Sequence, residues 1–225
     1  MKCLIDGDPL AYIAGWNVTV EEAKANMDVL VQDICDAAFT DECLIAVKGP
    51  NNFRDNVLSS YKGSRRSTPE QASMVKTLRD YLIEAHDAIE AEGQEADDLL
   101  AQWAEECRNE GTDWVIASID KDLLTIPGKH YNIRKGTLVE IDKDTADYLL
   151  NKQLLMGDSA DDIPGLKGIG AKRAENILAG VPYGKRRNAV IGAYKEHYAT
   201  KWKSELQLTG DLIWIRTVKD EKFEI

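Results

Sequence analysis

The sequence of 225 residues has only three histidines and four cysteines, and no apolar run approaches the ~20 residues that a membrane-spanning helix needs. Cys3, Cys35, Cys43 and Cys107 form no CxxC pair and lie within apolar segments. This spacing favours reduced core thiols over a zinc site or a disulfide framework. The first apolar run is also too short for a signal peptide, so we expect a cytoplasmic protein without a membrane segment.

Positive charge is scarce, since 28 Lys and Arg stand against 39 Asp and Glu and the formal net charge is −11. The distribution of this charge is uneven, however. Residues 48–66 carry a net charge of +4, and residues 164–187 carry a net charge of +5. An acidic, metal-filled site flanked by phosphate-binding segments would produce this pattern. An acidic protein with incidental basic loops would also produce it.

Three short apolar segments, Lys2–Asp6, Cys43–Val47 and Trp114–Ser118, are typical of buried strands. A hairpin is predicted from Tyr131–Ile133 to Leu138–Ile141. Because the buried strands are separated by segments with helical patterns, we expect a parallel α/β sheet flanked by helices.

Capping signals predict where the helices begin. Thr19 and Thr68 each start a capping box, and apolar residues recur at the helical period after Thr19. We expect the helix after Thr68 to run to about Ala91. Glu95–Asn109 is predicted as a further helix, and the chain is mostly helical from Asp142 onward.

Carboxylates follow two of the predicted strands. Asp6 ends the first strand, and Asp120 and Asp122 come directly after the third. Since ligand sites of parallel α/β sheets form outside the carboxyl ends of the strands, these acids should meet at one edge of the sheet. Aspartate is also common at strand ends because turns favour it, so a single residue of this kind would carry little weight.

Two further acidic segments strengthen the prediction. Glu95-Ala96-Asp97-Asp98 places three carboxylates in a helix start, where acids also simply complement the helix dipole. Gly157-Asp158-Ser159-Ala160-Asp161 adds two more, although Asp161 could cap a helix or turn. Hard cations such as Mg²⁺ take oxygen ligands, and no His or Cys lies nearby for zinc. We expect Asp120 and Asp122 to lie within a few ångströms of Asp158 and Asp161.

The most specific feature is the glycine-rich segment 165–172, which reads Gly-Leu-Lys-Gly-Ile-Gly-Ala-Lys. Closely spaced glycines before a helix expose backbone N–H groups, and a helix N-terminus favours anions. Lys167, Lys172 and Arg173 would pair with phosphate without reading bases.

Several motifs, in this order along the chain, closely resemble those of the 5′-nuclease (flap endonuclease) family. They are Asp6-Gly7, Tyr61-Lys62-Gly63-Ser64-Arg65-Arg66, Glu95-Ala96-Asp97-Asp98, Asp120-Lys121-Asp122, Gly157-Asp158-Ser159-Ala160-Asp161 and Ile163-Pro164-Gly165-Leu166-Lys167-Gly168-Ile169-Gly170. The resemblance spans about residues 1–200. Length and compactness are most similar to the bacteriophage 5′–3′ exonucleases of that family.

The resemblance implies an α/β fold with a PIN-like parallel sheet, a helical arch and a C-terminal helix–three-turn–helix (helix-hairpin-helix-type) module that grips duplex DNA. The catalytic core would comprise residues 1–141, with the arch in residues 60–92, and the helical portion residues 142–225 of one compact unit. The implied activity is that of a Mg²⁺-dependent 5′–3′ exodeoxyribonuclease or structure-specific endonuclease acting on duplex DNA with a 5′ end or flap. A phage-encoded enzyme would work in the bacterial host cytoplasm.

The resemblance also implies roles for individual residues. Two or more Mg²⁺ or Mn²⁺ ions would be held, directly or through water, by Asp6, Glu95, Asp97, Asp98, Asp120, Asp122, Asp158 and Asp161. Lys62 would contact the scissile phosphate with Arg65 beside it, and Tyr61 would stack on a nucleobase. Arg66 would bind DNA, as would Lys167, Gly168, Gly170, Lys172 and Arg173. Carbonyl groups of the glycine-rich module often hold a potassium ion in this family.

One departure from the family pattern concerns the second strand. The family places an aspartate at its end, a few residues before a Phe-Arg pair, which is Phe53-Arg54 here. The corresponding position is Val47 or Lys48, and neither carries an acid. Asp8 could compensate if it shared a strand face with Asp6, although Asp8 also suits a turn before Pro9.

Two other hypotheses are compatible with part of the sequence. Asp6-Gly7-Asp8, Ser118, Lys121 and Gly157-Asp158 imitate the motifs of haloacid-dehalogenase-type phosphatases, with Asp6 as nucleophile. That hypothesis leaves the acids at 95–98 and the glycine-rich segment unexplained. Alternatively, the missing second-strand acid could make the chain a catalytically weakened DNA-structure-binding protein of the same fold.

Overall fold

The computed structural model describes residues 1–40 and 42–225, and within these the chain forms eight strands and nine α-helices. The strands are β1 Lys2–Asp6, β2 Cys43–Lys48, β3 Ile89–Ala91, β4 Trp114–Ser118, β5 Gly128–Asn132, β6 Thr137–Ile141, β7 Gly157–Asp158 and β8 Ile163–Pro164. The helices are α1 Gly7–Ala14, α2 Val20–Ala37, α3 Phe53–Val57, α4 Pro69–His86, α5 Ala96–Glu110, α6 Lys143–Met156, α7 Ala171–Leu178, α8 Arg186–Tyr198 and α9 Trp202–Ile213. None of the described helices is long and apolar enough to cross a membrane.

The central sheet has the strand order β3-β2-β1-β4-β5-β6, with only the edge strand β6 antiparallel to its neighbour. The chain proceeds from β1 outward through β2 and β3, and then returns to the other side of β1 with β4. The order therefore reverses between β1 and β4. A crevice opens at such a reversal, outside the carboxyl ends of the strands, and Asp6 and Ser118 end the two strands there.

Both faces of the sheet are covered, which explains why its strands are almost continuously apolar. In β1, Cys3 and Ile5 face the core formed with α1, α2 and α4, while Leu4 faces the core formed with α5. Val115 and Ile116 divide in the same way in β4. The predicted parallel α/β sheet is confirmed, as are both capping boxes and the β5–β6 hairpin.

The C-terminal portion is helical, as predicted, and has its own apolar core. Leu154 and Leu155 of α6, Leu178 of α7 and Tyr194 of α8 are buried in this core. The Tyr194 hydroxyl donates to the Leu154 carbonyl at 2.7 Å, which satisfies its polar end.

A buried ion pair joins the C-terminal portion to the sheet. The Arg54 guanidinium donates to both carboxylate oxygens of Asp98 at 2.5 and 3.0 Å. It also donates to the carbonyls of Leu212 and Trp214 at 2.9 and 2.8 Å. Asp98 in turn accepts from the backbone N–H of Arg216 at 2.9 Å. Since Arg54 is only 2% exposed and Asp98 0%, this network fixes α3, α5 and the end of α9 together.

The predicted helix from Thr68 to about Ala91 is wrong at its C-terminal end. The helix α4 stops at His86 because Asp87 adopts a left-handed conformation with φ of 53°. The residues that follow form β3, in which Ile89 pairs with Ala46 of β2. Pairing with β2 therefore overrides the apparent helical continuation.

The expected helical arch is not free-standing in this structure. Val75, Leu78 and Leu82 of α4 are buried against α1 and α2 in the core. Gly15 allows this approach, because a Cβ atom there would lie 2.7 Å from Cγ of Met74. The helix α4 is therefore docked on the body of the protein, and only its first turn is exposed on all sides.

The prediction of four free thiols is wrong for two of the cysteines. Cys35 near the end of α2 and Cys43 at the start of β2 form a disulfide, with a Cα–Cα distance of 6.7 Å. The packing of α2 beside β2 brings these two residues together across eight positions of sequence. Cys3 and Cys107 are free and buried, as expected.

We expect Asp98→Ala to lower the free energy of unfolding by about 3–5 kcal/mol, because the substitution leaves the Arg54 charge buried and unpaired. Urea unfolding of metal-free protein measures this change. The matched control is Asp80→Ala, which removes the exposed Lys76–Asp80 pair and should cost less than about 0.5 kcal/mol. Equal losses in the two variants would contradict the proposed importance of the Arg54–Asp98 contact.

Candidate active site

The crevice at the strand-order reversal is a cleft of about 500 Å³. We call it the acidic cleft, because Asp6, Asp97 and Asp120 line its floor. Lys62 and Arg65 also line it, from the loop that precedes α4. These five residues come from four separate segments of the chain, so only the fold assembles the cleft.

Asp6 lies at the end of β1 and is 4% exposed. Its Oδ2 accepts a hydrogen bond from the Ser118 hydroxyl at 2.7 Å, and Ser118 Oγ in turn accepts from the Asp120 N–H. Burial raises the pKa of Asp6 to about 7, against the effect of the Ser118 bond, and the charges of Asp8 and Asp120 raise it further. The fold thus places carboxylates close together in the crevice, where burial and mutual repulsion disfavour their ionised forms.

Asp97 lies in the first turn of α5 and points to the same place. Burial raises its pKa well above the ordinary value, and the charges of Asp6, Asp120 and Glu95 add to the effect. Within the described part of the chain, its carboxylate accepts no hydrogen bond from a protein donor. Asp97 is therefore an acid held among acids, which is an arrangement that a bound cation would stabilise.

A second, smaller group of acids adjoins the cleft. Asp122, Asp158 and Asp161 line a cavity of about 30 Å³, together with Asp97 and Glu95. We call it the acidic cavity. Its volume matches that of one water molecule or one ion.

The positions in the acidic cavity are fixed by local contacts. Gln153 of α6 donates to Asp122 Oδ1 at 2.5 Å, and the Ala160 N–H donates to Asp158 Oδ1 at 2.7 Å. Burial, with the charges of Asp120 and Asp158, raises the pKa of Asp122 to about 7. Gly157 allows the tight β7–β8 pairing, since it has φ of 70° and a Cβ atom would lie 2.3 Å from the Ile163 carbonyl oxygen. Asp122 lies beside Asp158 and Asp161, as the sequence led us to expect, whereas Asp120, which we expected beside them too, lines the acidic cleft.

Glu95 differs from the other acids because cations and donors surround it. It forms ion pairs with Lys62 and Arg54, and it accepts from the Tyr61 hydroxyl at 2.9 Å and from Asn52 at 3.3 Å. Burial would raise its pKa, but Lys62 and Arg54 together hold the pKa of Glu95 below its ordinary value. Glu95 therefore stays ionised between the acidic cleft and the acidic cavity, both of which it lines.

Two of the predicted site residues have other positions than expected. Asp98 cannot be a metal ligand in this arrangement, because all of its hydrogen bonds go to Arg54 and to the backbone N–H groups of Glu95 and Arg216. Tyr61 cannot stack on a nucleobase, because its ring is 7% exposed and packs with Ile163. Tyr61 instead orients Glu95 through its hydroxyl.

The loop that carries Lys62 and Arg65 is held over the acids by backbone contacts. The Lys62 N–H donates to the Asp161 carbonyl at 2.9 Å, and the Ser64 N–H donates to Asp162 Oδ2 at 2.7 Å. Lys62 has φ of 54°, a conformation that costs free energy and marks a constrained position. Its ammonium lies 3.5 Å from Asp161 in addition to its Glu95 pair, and Arg65 also pairs with Asp161. Arg66 points away and donates to the Gly63 carbonyl at 3.1 Å.

Neither position at the end of β2 that corresponds to the family's aspartate carries an acid. Val47 is fully buried in the core, and the Lys48 side chain is exposed. Asp8 does not share a strand face with Asp6, because α1 begins at Gly7 and places Asp8 in its first turn. The Asp8 carboxylate accepts from Arg79 at 2.6 Å and from the Lys48 N–H at 3.3 Å.

The glycine-rich segment forms an exposed turn that leads into α7, with Gly170 as N-cap. Gly168 has φ of 80°, which allows the turn. Lys167, Gly170 and Lys172 are exposed, whereas Arg173 donates to the Gly168 carbonyl at 2.7 Å.

Several residues that shape the site were not among the site residues predicted from the sequence. Ser118, Asn52 and Gln153 each orient one of the acids, and Arg54 pairs with two of them. Arg54 is buried, so its side chain is not available to DNA in this structure. Only its position, shortly after β2 ends, connects it to the site in the sequence.

In residues 1–40 and 42–225, no three His, Cys, Asp or Glu side chains converge tightly enough to enclose an ion by themselves. The acids instead form two open groups, which share Asp97 and Glu95. Hard divalent ions that keep several waters need only one or two direct carboxylates. The all-oxygen donor set therefore suits a hard divalent cation that keeps part of its water shell.

A model of the 5′–3′ exonuclease N-terminal, resolvase-like domain matches residues 3–153. DNA polymerase I of Geobacillus stearothermophilus is 29% identical over 233 residues, which cover 93% of this chain and 26% of the polymerase. The chain thus spans about a quarter or less of the length of the polymerase relatives it matches.

Two solved structures share the fold. The T5 D15 protein co-crystallised with metal ions has a TM-score of 0.70 at 19% identity, over 94% of this chain and 86% of that one. The bacteriophage T5 flap endonuclease in a pseudo-enzyme-product complex with DNA and metal ions has a TM-score of 0.66 at 17% identity, over 94% and 98%. The predicted PIN-like α/β architecture is therefore confirmed.

The unpartnered position of Asp97 has a measurable consequence. Because its pKa is raised in the folded state, ionisation near neutral pH carries a cost that is absent from the unfolded chain. We expect metal-free Asp97→Asn to unfold about 2–4 °C above the parent, equivalent to ~1 kcal/mol for a domain of this size. Differential scanning calorimetry in EDTA measures the shift.

The control for this comparison is Asp33→Asn, on the exposed face of α2, which should change the free energy of unfolding by less than about 0.5 kcal/mol. A lower unfolding temperature for Asp97→Asn than for this control would mean that Asp97 has a stabilising partner after all.

Proposed function

Because the chain belongs to the 5′–3′ exonuclease family, we propose that it is a divalent-metal-dependent 5′-nuclease that hydrolyses DNA phosphodiesters as an exonuclease, a flap endonuclease or both. The observation that carries this proposal is the gathering of unneutralised acids from separate segments at the strand-order reversal, with Lys62 and Arg65 facing them. Stability alone gives no reason to place Asp6, Asp97 and Asp120 beside one another.

The proposed metal ligands fall into two groups. Asp6, Asp97 and Asp120 would hold one ion in the acidic cleft, and Asp122, Asp158 and Asp161 a second in the acidic cavity. Glu95 lies between them and would contact either ion through water. When bound, such ions polarise phosphoryl oxygens and make water more acidic. A two-metal arrangement of this kind supports an in-line displacement.

The chain's own residues would position the DNA. Lys62 and Arg65 pair with acids in the structure and would move to the scissile phosphate when DNA enters, where their charges oppose the negative charge that develops during reaction. Tyr61 and Asn52 would keep Glu95 in place as Lys62 leaves it. The proton of the attacking water would pass to solvent or to a cleft carboxylate.

The exposed glycine-rich turn would bind duplex phosphate as part of a helix-hairpin-helix-type module in residues 142–225. Lys167 and Lys172 supply charge, and Gly168 and Gly170 allow close approach of the backbone. Arg66 would add a contact beside the acidic cleft. A potassium ion at this turn would compete with the Arg173 guanidinium for the Gly168 carbonyl.

The phosphatase hypothesis is less well supported than the nuclease. In such a phosphatase Asp8 would act as the general acid and base, but in this structure Asp8 pairs with Arg79. Gly157-Asp158 follows the helix α6 instead of a buried strand. The hypothesis of a catalytically weakened DNA-binding protein makes a different prediction, which is binding without cleavage.

We expect the purified chain to cleave duplex DNA with a 5′ end or flap in Mg²⁺ or Mn²⁺ and to be inactive in EDTA. Asp120→Asn should reduce the cleavage rate at least ~100-fold. Loss of a residue that supports a metal ligand typically costs about 10–100-fold in activity, and loss of the ligand itself should cost no less. Asp33→Asn should leave the rate unchanged. DNA binding without cleavage in either metal would support the weakened binding protein instead.

Lys62 should matter for turnover more than for folding. Loss of a donor to developing charge costs roughly 10²–10³ in rate, so single-turnover cleavage by Lys62→Ala should fall by that factor at saturating enzyme and Mg²⁺. DNA affinity should fall far less, since the glycine-rich turn still binds the duplex. Lys76→Ala, on the exposed face of α4, is the control. A Lys62→Ala rate within about twofold of the parent would restrict Lys62 to its ion pairs with Glu95 and Asp161.

A further inference from the structure

A third pocket, of about 350 Å³, adjoins the acidic cleft on the side of β2 and α4. It shares Lys62, Arg65 and Glu95 with the acidic cleft, and so opens directly into it. Lys48 at the end of β2 and Arg79 of α4 line the remainder. We call it the cationic pocket.

Net charge reverses in sign across these three neighbouring spaces. The side chains lining the acidic cavity carry a net charge of −4, from five carboxylates and Arg54. The acidic cleft carries −1, and the cationic pocket carries +2, from four cations and two carboxylates. An anion that extends beyond the metal-binding acids is therefore attracted towards Lys48 and Arg79 on the side of β2 and α4, and towards Lys121, Arg134 and Lys135 on the side of β5.

Asp8 holds the side chain of one cation of this pocket and the backbone of another. Asp8 accepts from the Arg79 side chain at 2.6 Å and from the backbone N–H of Lys48 at 3.3 Å. The Arg79 side chain is 23% exposed, and its contact with Asp8 fixes its position. The guanidinium has further N–H donors that this contact does not use. The Lys48 ammonium forms no ion pair with any residue that the structure describes, so its charge is free for a ligand.

The shape of the pocket would admit the end of a DNA strand but not a DNA strand that continues beyond it. The helix α4 contributes Ala72 and Val75 to one wall, and Val75 continues into the core against α1 and α2. Because α4 is docked and not raised, this wall is closed by packed apolar side chains. A polynucleotide could reach the pocket but could not pass through it between α4 and the body of the protein.

We propose that the cationic pocket binds the terminal 5′-phosphate monoester of the DNA strand whose neighbouring phosphodiester lies in the acidic cleft. A phosphate monoester carries about −1.5 to −2 charges at neutral pH. Lys48 and Arg79, the two cations of the pocket that are not assigned to the scissile phosphate, therefore attract it more strongly than the single charge of an internal diester. Lys48 is the specificity-determining residue, and Arg79 a positioning residue on the opposite wall. The inference rests on the proposed nuclease function and adds to it a preference for phosphorylated 5′ ends.

The direct test measures binding without catalysis. Fluorescence anisotropy in EDTA compares two otherwise identical blunt duplexes, one with a 5′-phosphate and one with a 5′-hydroxyl. We expect the parent to bind the phosphorylated duplex about tenfold more tightly, the effect of one hydrogen bond to a charged group. Lys48→Gln should reduce this ratio to within about twofold of unity, and it should fold normally because Lys48 is exposed.

The matched control is Lys76→Gln, which removes an exposed lysine from α4 outside the pocket and should keep the parent's ratio. Arg79→Gln provides a second variant, for which the ratio should also fall. Single-turnover cleavage of the same two duplexes in Mg²⁺ should show the same order of preference in the parent and its loss in Lys48→Gln.

The outcomes separate the two proposals. Efficient cleavage of both duplexes with equal affinity for them would overturn the cationic pocket and leave the nuclease intact. A phosphate preference that Lys48→Gln retains would also overturn it. Absence of cleavage of either duplex in Mg²⁺ and Mn²⁺ would overturn the nuclease itself. Tighter binding of a long 5′ flap than of the phosphorylated end would show that the pocket admits an internal diester, contrary to this assignment.

Discussion

The buried ion pair between Arg54 and Asp98 is the contact on which the rest of the site depends. It places the N-terminus of α5 against α3, and Arg54 also binds the last carbonyls of α9. Asp98 at the same time accepts from the Glu95 N–H and so fixes the residue that separates the two acidic spaces. Although burial opposes charge on Arg54, the carboxylates of Asp98 and Glu95 raise its pKa above the usual value. This one network thus joins α3, α5 and α9 and fixes the positions of Glu95 and Asp98.

Around that network, the carboxylates of the site differ in how far neighbouring cations neutralise their charge. Glu95 is surrounded by Lys62, Arg54 and Tyr61, whereas Asp97, two residues later, faces other acids. Buried like charges are costly in a stable fold, and their concentration where parallel strands end indicates a function that requires cations. The same strand edge then becomes cationic towards β2, where Lys48 stands in a region in which the family pattern has an acid.

The docked position of α4 connects architecture to substrate choice. Its apolar face is buried on α1 and α2, and Gly15 leaves room for that contact. The loop before α4 is held to the Asp158–Asp162 turn by backbone hydrogen bonds, which carries Lys62 over the acids. The loop lines both the acidic cleft and the cationic pocket, and α4 lines the cationic pocket.

The sequence by itself determined the strands of the central sheet other than β3, both capping boxes, the order of the acidic motifs and the glycine-rich turn. Each of these is encoded within a few neighbouring residues by periodicity, capping chemistry or turn preference. Tertiary structure alone decided that Asp97 faces the acidic cleft while Asp98 binds Arg54, that Tyr61 is buried and that Cys35 pairs with Cys43. It also ended α4 at His86, because Ile89 pairs with β2. Partners such as Arg54 and the Leu212 carbonyl lie 158 residues apart, and no local pattern records which distant group will satisfy a buried charge.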